Sequence, residues 1–378
     1  MAAPKSCVQC GKCLEVCPLF KVTGREELTP RAKFFLESLE SGEVLSEKDF
    51  KSLASLCLSC GRCAENCPQN MSGPDLVKDL RSKSKDFTQT CWDLWLRSPG
   101  LLWPMAAAGS KLVPEFLPEP FGSARKRMQS LFAKRVEPWA ELGPQTKFEK
   151  RRVILFKGCV GRFARKDWAV KAEQLMDGMG LLRAEGAQFS CCGSSYGSAG
   201  LLERQADSRI KNIKVWKDAD CPLLITFCVT CLKGLKEYSL EDFAGDAKLF
   251  DKWRQALTPL SSLLLDAEFK FLDNVPAQVA YHQPCHAPVD DTDRKLVELI
   301  GGERLLPVQE DLCCGFGGIM QLGAPELSKE VGRHCLAQLT KGMQPGGQIL
   351  SGCSACTIQL ASLVKDEYFA AHWLDILK

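Results

Sequence analysis

Several features are missing from this chain. No run of about 18 apolar residues appears, which excludes a helix built to cross a membrane. The nearest stretch, GLLWPMAAAG at 100–109, is short and carries a proline. The opening residues MAAPKSCVQC lack the apolar centre of a secretory signal. The net charge is only +3 and no long basic run is present, which argues against a nucleic-acid partner. No G-x-G-x-x-G follows a strand, so nothing marks a flavin or nicotinamide site. What remains is 45% apolar and 25% charged, the composition of a soluble globular protein with material for a core. At about 100–200 residues per domain, 378 residues leave room for two or three.

Against those absences stand 21 cysteines. A secreted disulfide scaffold would be small and carry a signal peptide. A large chain without one belongs in a reducing compartment, where clustered cysteines read as metal ligands or redox groups.

Two runs open the chain: SCVQCGKCLEVCP at 6–18 and LCLSCGRCAENCP at 56–68. Both match C-x2-C-x2-C-x3-C-P, the bacterial ferredoxin run, in which three cysteines wrap one cubane and the fourth reaches the other. That rule assigns Cys7, Cys10, Cys13 and Cys67 to cluster A, and Cys57, Cys60, Cys63 and Cys17 to cluster B. Structural zinc would instead use CxxC pairs separated by a longer loop. Gly11 and Gly61 let backbone amides approach the sulfurs, or are plain turn glycines.

Thirty-nine residues separate Cys17 from Cys57. Thr29 and Pro30 read as cap and first position of a helix with Phe34, Phe35, Leu36 and Leu39 on its apolar side. A second helix is expected from about Ser46, with Phe50, Leu53 and Leu56 inward. This insert resembles the all-helical ferredoxin domain of fumarate-reductase and heterodisulfide-reductase type subunits.

Residues 91–150 hold seven prolines and four of the eight tryptophans, and read as a linker. Trp92, Trp95 and Trp103 suggest either a docking face for a partner or membrane interface, or packing within the molecule.

From 151 the pattern alternates strand and helix, and it repeats. RRVILFKGCV ends near Cys159, FSCCGSSYGSAG carries Cys191 and Cys192, and CPLLITFCVTCLKGL carries Cys228 and Cys231. AQVAYHQPCHAP then carries Cys285, LCCGFGGIMQLG carries Cys313 and Cys314, and GGQILSGCSACTIQLA carries Cys353 and Cys356. The offsets are 126, 122 and 125 residues, which indicates a duplicated unit. Each cysteine element falls where a strand ends, the ligand-binding edge of an open parallel sheet. Cys228 and Cys353 also precede helices, whose first amides favour thiolate.

The order C…CCG…CxxC, twice, behind a two-cluster ferredoxin segment resembles the cysteine-rich CCG-domain family. That family includes heterodisulfide reductase B and D subunits and the iron–sulfur subunits of glycolate oxidase, anaerobic glycerol-3-phosphate dehydrogenase and lactate-utilisation systems. The closing HWLDIL at 372–377 is also similar to the family's carboxyl-terminal segment.

The resemblance implies an α+β multidomain chain. A helical ferredoxin domain with two [4Fe-4S] cubanes spans 1–90, a Pro/Trp-rich linker or docking segment 91–150, and two CCG repeats 151–270 and 271–378. It implies one or two non-cubane [4Fe-4S] clusters, on Cys159, Cys191, Cys192, Cys228 and Cys231 (site one) and Cys285, Cys313, Cys314, Cys353 and Cys356 (site two). Only 27 residues separate Cys285 from Cys313, against 31 at the matching place in the first half, so the two sites need not match. Both CxxC pairs are complete, which pulls toward heterodisulfide reductase, where a disulfide is cleaved between two such clusters. The ten cysteines are then catalytic.

Three cysteines stay outside these sets: Cys91, Cys221 and Cys335, read as small buried hydrophobes. His282 and His286 flank Cys285, as proton donors to a thiolate or as hydrogen-bonding supports. Lys157 either steadies cluster charge or faces solvent.

The expected function is the iron–sulfur subunit of a multi-subunit oxidoreductase, cytoplasmic, at or near the membrane face through a partner. Its partners would be a flavoprotein, a further iron–sulfur subunit or a cytochrome b-type membrane subunit. One expectation is disulfide/thiol chemistry. The alternative is a pure relay from a flavin-dependent 2-hydroxyacid or glycerol-3-phosphate dehydrogenase to quinone.

Overall fold

The computed structural model describes residues 7–38, 52, 55–83, 86–114, 121–134, 136–143, 148, 150–184, 188–365 and 367–378. Most of the second helix expected in the insert, including Ser46, Phe50 and Leu53, lies outside the described residues.

Each cysteine run turns into a short helix, Lys12–Val16 in the first and Arg62–Glu65 in the second. The residue before each is glycine, Gly11 at φ 83° and Gly61 at φ 85°, so both are turn glycines in a left-handed conformation that side chains resist. Pro18 begins the next helix, Pro18–Thr23, where its missing N–H costs nothing. The helix after it, Pro30–Ser38, buries Lys33, while Phe35 of its expected apolar side is 45% exposed.

The stretch read as a linker forms three helices, Phe87–Arg97, Pro99–Leu112 and Phe121–Phe132. Its tryptophans turn inward. Trp92 donates to the Ser195 carbonyl at 3.3 Å, and Trp103 packs with Leu131, Phe163 and Ile358, between the two halves of the repeat. Packing within the molecule therefore accounts for them.

The repeat builds two parallel sheets. In the first, β2 (Arg152–Phe156) lies between β3 (Leu182–Arg183) and β4 (Leu223–Thr226), and β5 (Leu257–Pro259) pairs with β4. In the second the order is β7 (Val279–Tyr281), β8 (Gln348–Ser351) and β9 (Phe369–His372). β2 and β8 bury every residue but Arg152, as a parallel sheet covered on both faces requires. A small antiparallel pair, β1 (Ala140–Leu142) with β6 (Phe269–Phe271), lies outside both sheets.

One apolar core joins the two sheets, running from Val153 and Ile225 to Val279 and Leu350. The carboxyl-terminal segment fastens them. Asp375, from the HWLDIL stretch, accepts from Trp168 Nε1 at 2.7 Å and pairs with Arg165, both in the first half. Trp139 Nε1 donates to Gln348 Oε1 at 3.0 Å. No helix among the described residues is long and apolar enough to cross a membrane.

Candidate iron–sulfur centres

The two runs pack against each other through their short helices, and two cavities result. One is lined by Cys7, Cys10, Cys13 and Cys67, with Cys63 at its wall. The other is lined by Cys17, Cys57, Cys60 and Cys63. The first takes three cysteines from one run and two from the other, the second three and one, and Cys63 lies in the wall between them. The outer cavity is the more open, with Cys10 exposed, whereas Cys17 and Cys63 are buried. Burial, with Cys57 close by, pushes the Cys63 thiol up to about 12.

Lys33 also lines the inner cavity, only 4% exposed. Its ammonium donates to the Leu28 carbonyl and, among the described residues, has no carboxylate partner. Burial lowers its pKa, while Cys57, Cys17 and Cys63 supply the nearest opposing charge. A buried cation without an anion is costly. Four thiolates around an iron–sulfur group would supply that anion, so the residues present fit such a group.

Arg81 reaches the same place, donating to the carbonyls of Ser55 at 2.7 Å and Cys57 at 3.3 Å, and also to Ser198. Gly200 leaves room for it, since a Cβ there would come 2.6 Å from the Arg81 backbone.

The ten cysteines of the repeat form a continuous line of neighbouring thiols. It runs from Cys159 to Cys191, Cys192, Cys231 and Cys228. It crosses to Cys353 and continues through Cys356, Cys314 and Cys313 to Cys285. Cys314 and Cys356 lie 3.1 Å apart.

Local structure explains the placement. Cys228 and Cys353 are helix N-caps with nearly equal backbone angles, φ −114° ψ 118° and φ −118° ψ 119°. The glycines of the two CCG turns, Gly193 and Gly315, both have positive φ. Contact with Cys231 and Cys353 holds the Cys228 thiol well below its ordinary value. Contact with Cys313 and Cys356 brings Cys314 down to about 7. Contact with Cys159 and burial, by contrast, leave Cys191 raised to about 12. So dense a line of buried thiols, with Cys228 and Cys314 held low among neighbours that are raised, suits several metal ions better than ten separate protons.

The dicluster segment meets the repeat at site two. After burial, the strongest influence raising the Cys60 thiol is Cys285. Beside this junction opens a cleft of about 370 Å³. Its walls carry all five site-two cysteines, with His286, Thr230, Lys78, Arg209 and Lys233. No site-one cysteine lines it. Thr230 Oγ1 lies 3.2 Å from His286 Nδ1 and 3.1 Å from Cys353 Sγ. Burial and Lys233 push the His286 ring down to about 4. It is therefore neutral near pH 7, a hydrogen-bonding support in place of a ready proton source.

Sequence reasoning missed Lys33, Arg62, Arg81 and Lys233. One signal was available: a basic residue follows the glycine in both runs, Lys12 in the first and Arg62 in the second. Lys12 is exposed and Arg62 buried. Lys157 pairs with Glu173 at 2.7 Å on the surface. Of the spare cysteines, Cys335 is fully buried, whereas Cys91 and Cys221 are only partly so.

Comparison with known proteins agrees with this layout. A 4Fe-4S dicluster domain model matches residues 3–71, and a cysteine-rich domain model matches 153–236 and 279–361. The glycolate oxidase iron–sulfur subunit of Escherichia coli (strain K12) is 25% identical, the alignment covering 99% of this chain and 93% of the relative. The probable glycolate oxidase iron–sulfur subunit of Bacillus subtilis (strain 168) is also 25% identical, over 86% and 82%. A heterodisulfide reductase subunit of Methanosarcina mazei, from the dihydromethanophenazine:CoB–CoM enzyme, is 22% identical, over 92% and 86%. With both domain models matched in order and relatives aligned along nearly its whole length, the chain belongs to the CCG-domain iron–sulfur subunits of oxidoreductases.

Proposed function

We propose that this subunit carries electrons inward from cluster A (Cys7, Cys10, Cys13, Cys67) to cluster B (Cys17, Cys57, Cys60, Cys63). From there they pass to the CCG cysteines, where a disulfide is reduced at site two. The observation that carries the reading is the meeting of Cys60 with Cys285 beside an open cleft walled by site-two thiols. An all-helical ferredoxin domain over 1–90 would hold two [4Fe-4S] cubanes. The repeats at 151–270 and 271–378 would hold one or two non-cubane clusters, with 91–150 packed between. The bound iron–sulfur groups supply one-electron storage and transfer.

The overall reaction is R–S–S–R′ + 2 e⁻ + 2 H⁺ → RSH + R′SH, with the electrons delivered by a partner subunit. The chain's own groups prepare the cleft for it. Lys78, Arg209 and Lys233 attract an anionic substrate, and Asp75 and Glu237 limit that pull. Thr230 and His286 hold the thiol of Cys353 in place. We place the subunit on the cytoplasmic side, docked to a flavoprotein, a further iron–sulfur subunit or a cytochrome b-type subunit.

The test is turnover under anoxic conditions with reduced viologen and a small-thiol disulfide. Stoichiometric thiol release supports the reading. Clusters that are reoxidised by quinone analogues without thiol release overturn it. They favour a second reading, a relay between a flavin-dependent dehydrogenase of glycolate, lactate or glycerol 3-phosphate and quinone. What supports that second reading is the near full-length similarity to glycolate oxidase iron–sulfur subunits.

A further inference from the structure

His282 ends strand β7's run toward Cys285, and its ring is 1% exposed. The Nδ1 atom lies 3.4 Å from Ser351 Oγ. That hydroxyl donates its only proton to the His282 carbonyl at 3.1 Å, so toward the ring it can only accept. Nδ1 therefore carries the ring proton. A neutral imidazole has one N–H, which leaves Nε2 with a bare lone pair. The ring is wholly buried, and a second N–H on Nε2 would find no acceptor there among the described residues, so the neutral form is the one that fits.

Nε2 has no hydrogen-bond partner among the described residues although it is wholly buried. A ring nitrogen of His282, Cys314 Sγ and Cys356 Sγ all lie within 4.8 Å of one another, and with Nδ1 engaged by Ser351 the nitrogen left to serve them is Nε2. A metal-ligating histidine has this arrangement, one nitrogen fixed by a hydrogen bond and the other free to bind. A second buried ring makes the contrast. His372 Nε2 is also without a partner, but its Nδ1 accepts from the Leu374 N–H at 3.2 Å. Its Nε2 must then carry the proton, and it cannot ligate.

We propose that His282 is a nitrogen ligand to the metal of site two, through Nε2, alongside Cys314 and Cys356. The proposal rests on the reading that site two holds iron and sulfide. Its counterpart in the first half, 126 residues earlier, is Phe156, buried in β2. Site one thus has five thiols and no imidazole, and the duplication has produced two unlike centres. Imidazole in place of thiolate raises the potential of an iron–sulfur group. The nitrogen donor therefore sits at the centre that faces the cleft, where electrons should come to rest.

The test uses whole protein purified anoxically with ¹⁵N-labelled histidine. Pulsed EPR of the reduced protein should show a hyperfine coupling of the size given by directly bound nitrogen, on a signal distinct from the two cubanes. It should vanish in His282→Phe, which copies the first half, and in His282→Cys, which offers a thiolate. His282→Cys should also lower the potential of that centre. Should the Phe variant not accumulate, the Cys variant makes the same comparison. Full iron at site two without strong nitrogen coupling overturns the proposal, as does a coupling that survives both substitutions. Zinc at site two would sink the iron reading separately. Zinc-edge absorption would then decide this proposal by itself, a nitrogen donor lost in His282→Phe sustaining it and an all-sulfur shell overturning it.

Discussion

Arg62 reaches from the second cysteine run to the CCG turn of the second half, where its Nη2 donates to the Leu312 carbonyl at 2.6 Å. Its Nη1 lies 3.3 Å from Asp311 Oδ1. The side chain leaves between Cys60 and Cys63, so one guanidinium ties the inner cysteine cavity to the approach to Cys313. Arg62→Gln should cost about 1.5–3 kcal/mol of stability, the worth of a charge-assisted hydrogen bond to a part-buried carbonyl. It should also slow electron passage from the cubanes to site two. Denaturant midpoints and freeze-quench EPR measure the two effects, and an unchanged transfer rate would remove Arg62 from the route.

Lys33 faces the inner cavity with no carboxylate to answer it among the described residues. A unit charge at close range in a medium of effective dielectric about 20 contributes a few kcal/mol. For one electron that is on the order of 100 mV. Lys33→Met should lower the potential of one cubane by about that much and leave the other near its native value. Lys33→Arg should keep both. A redox titration followed by EPR reads the two waves.

The crossed assignment of the outer cysteines has a simple genetic signature. Cys10→Ser and Cys67→Ser should abolish the same EPR signal, and the double variant should be no worse than either single. Cys17→Ser and Cys60→Ser should together remove the other. Residues serving one group are non-additive, whereas residues serving two groups add. Additive losses of both signals from Cys67→Ser and Cys10→Ser would break the assignment.

Stability should fall in mild acid through His372. Burial, against the pull of Cys228, holds its ring down to about 4 in the fold, while a free imidazole titrates near 6.5. Between those values the unfolded chain binds more protons than the folded one. The contribution is full above pH 6.5 and is lost as pH drops toward 4, by at most about 3 kcal/mol. His372→Asn keeps an acceptor for the Leu374 N–H. Its stability deficit at pH 7 should therefore shrink by pH 5 in thermal scans, and a constant deficit would show that the ring does not titrate.

The dicluster segment could be read because its signature is local: four cysteines at fixed gaps followed by a proline fill a dozen positions in each run. The repeat could be read because its offsets agree. The inward turn of Lys33 could not, since a lysine on an amphipathic helix ordinarily points to water and only the tertiary neighbours reverse it. The same holds for Trp92 and Trp103, whose fate depended on whether the halves of the repeat come within reach. The meeting of Cys228 with Cys353, and of Cys60 with Cys285, joins segments over 120 residues apart, and no periodicity records such a distance.

Each half of the repeat leans on the other at its first CxxC cysteine. The Ser354 N–H points to Cys228 Sγ at 3.5 Å, Thr230 Oγ1 touches Cys353 Sγ at 3.1 Å, and the Val229 N–H bonds the Gly352 carbonyl at 2.9 Å. A lone copy would leave that seam open, with a thiol and an amide lacking mates. Neither half, expressed by itself, should then keep its CxxC loop in the arrangement it has here, and the two repeats act as one folding unit.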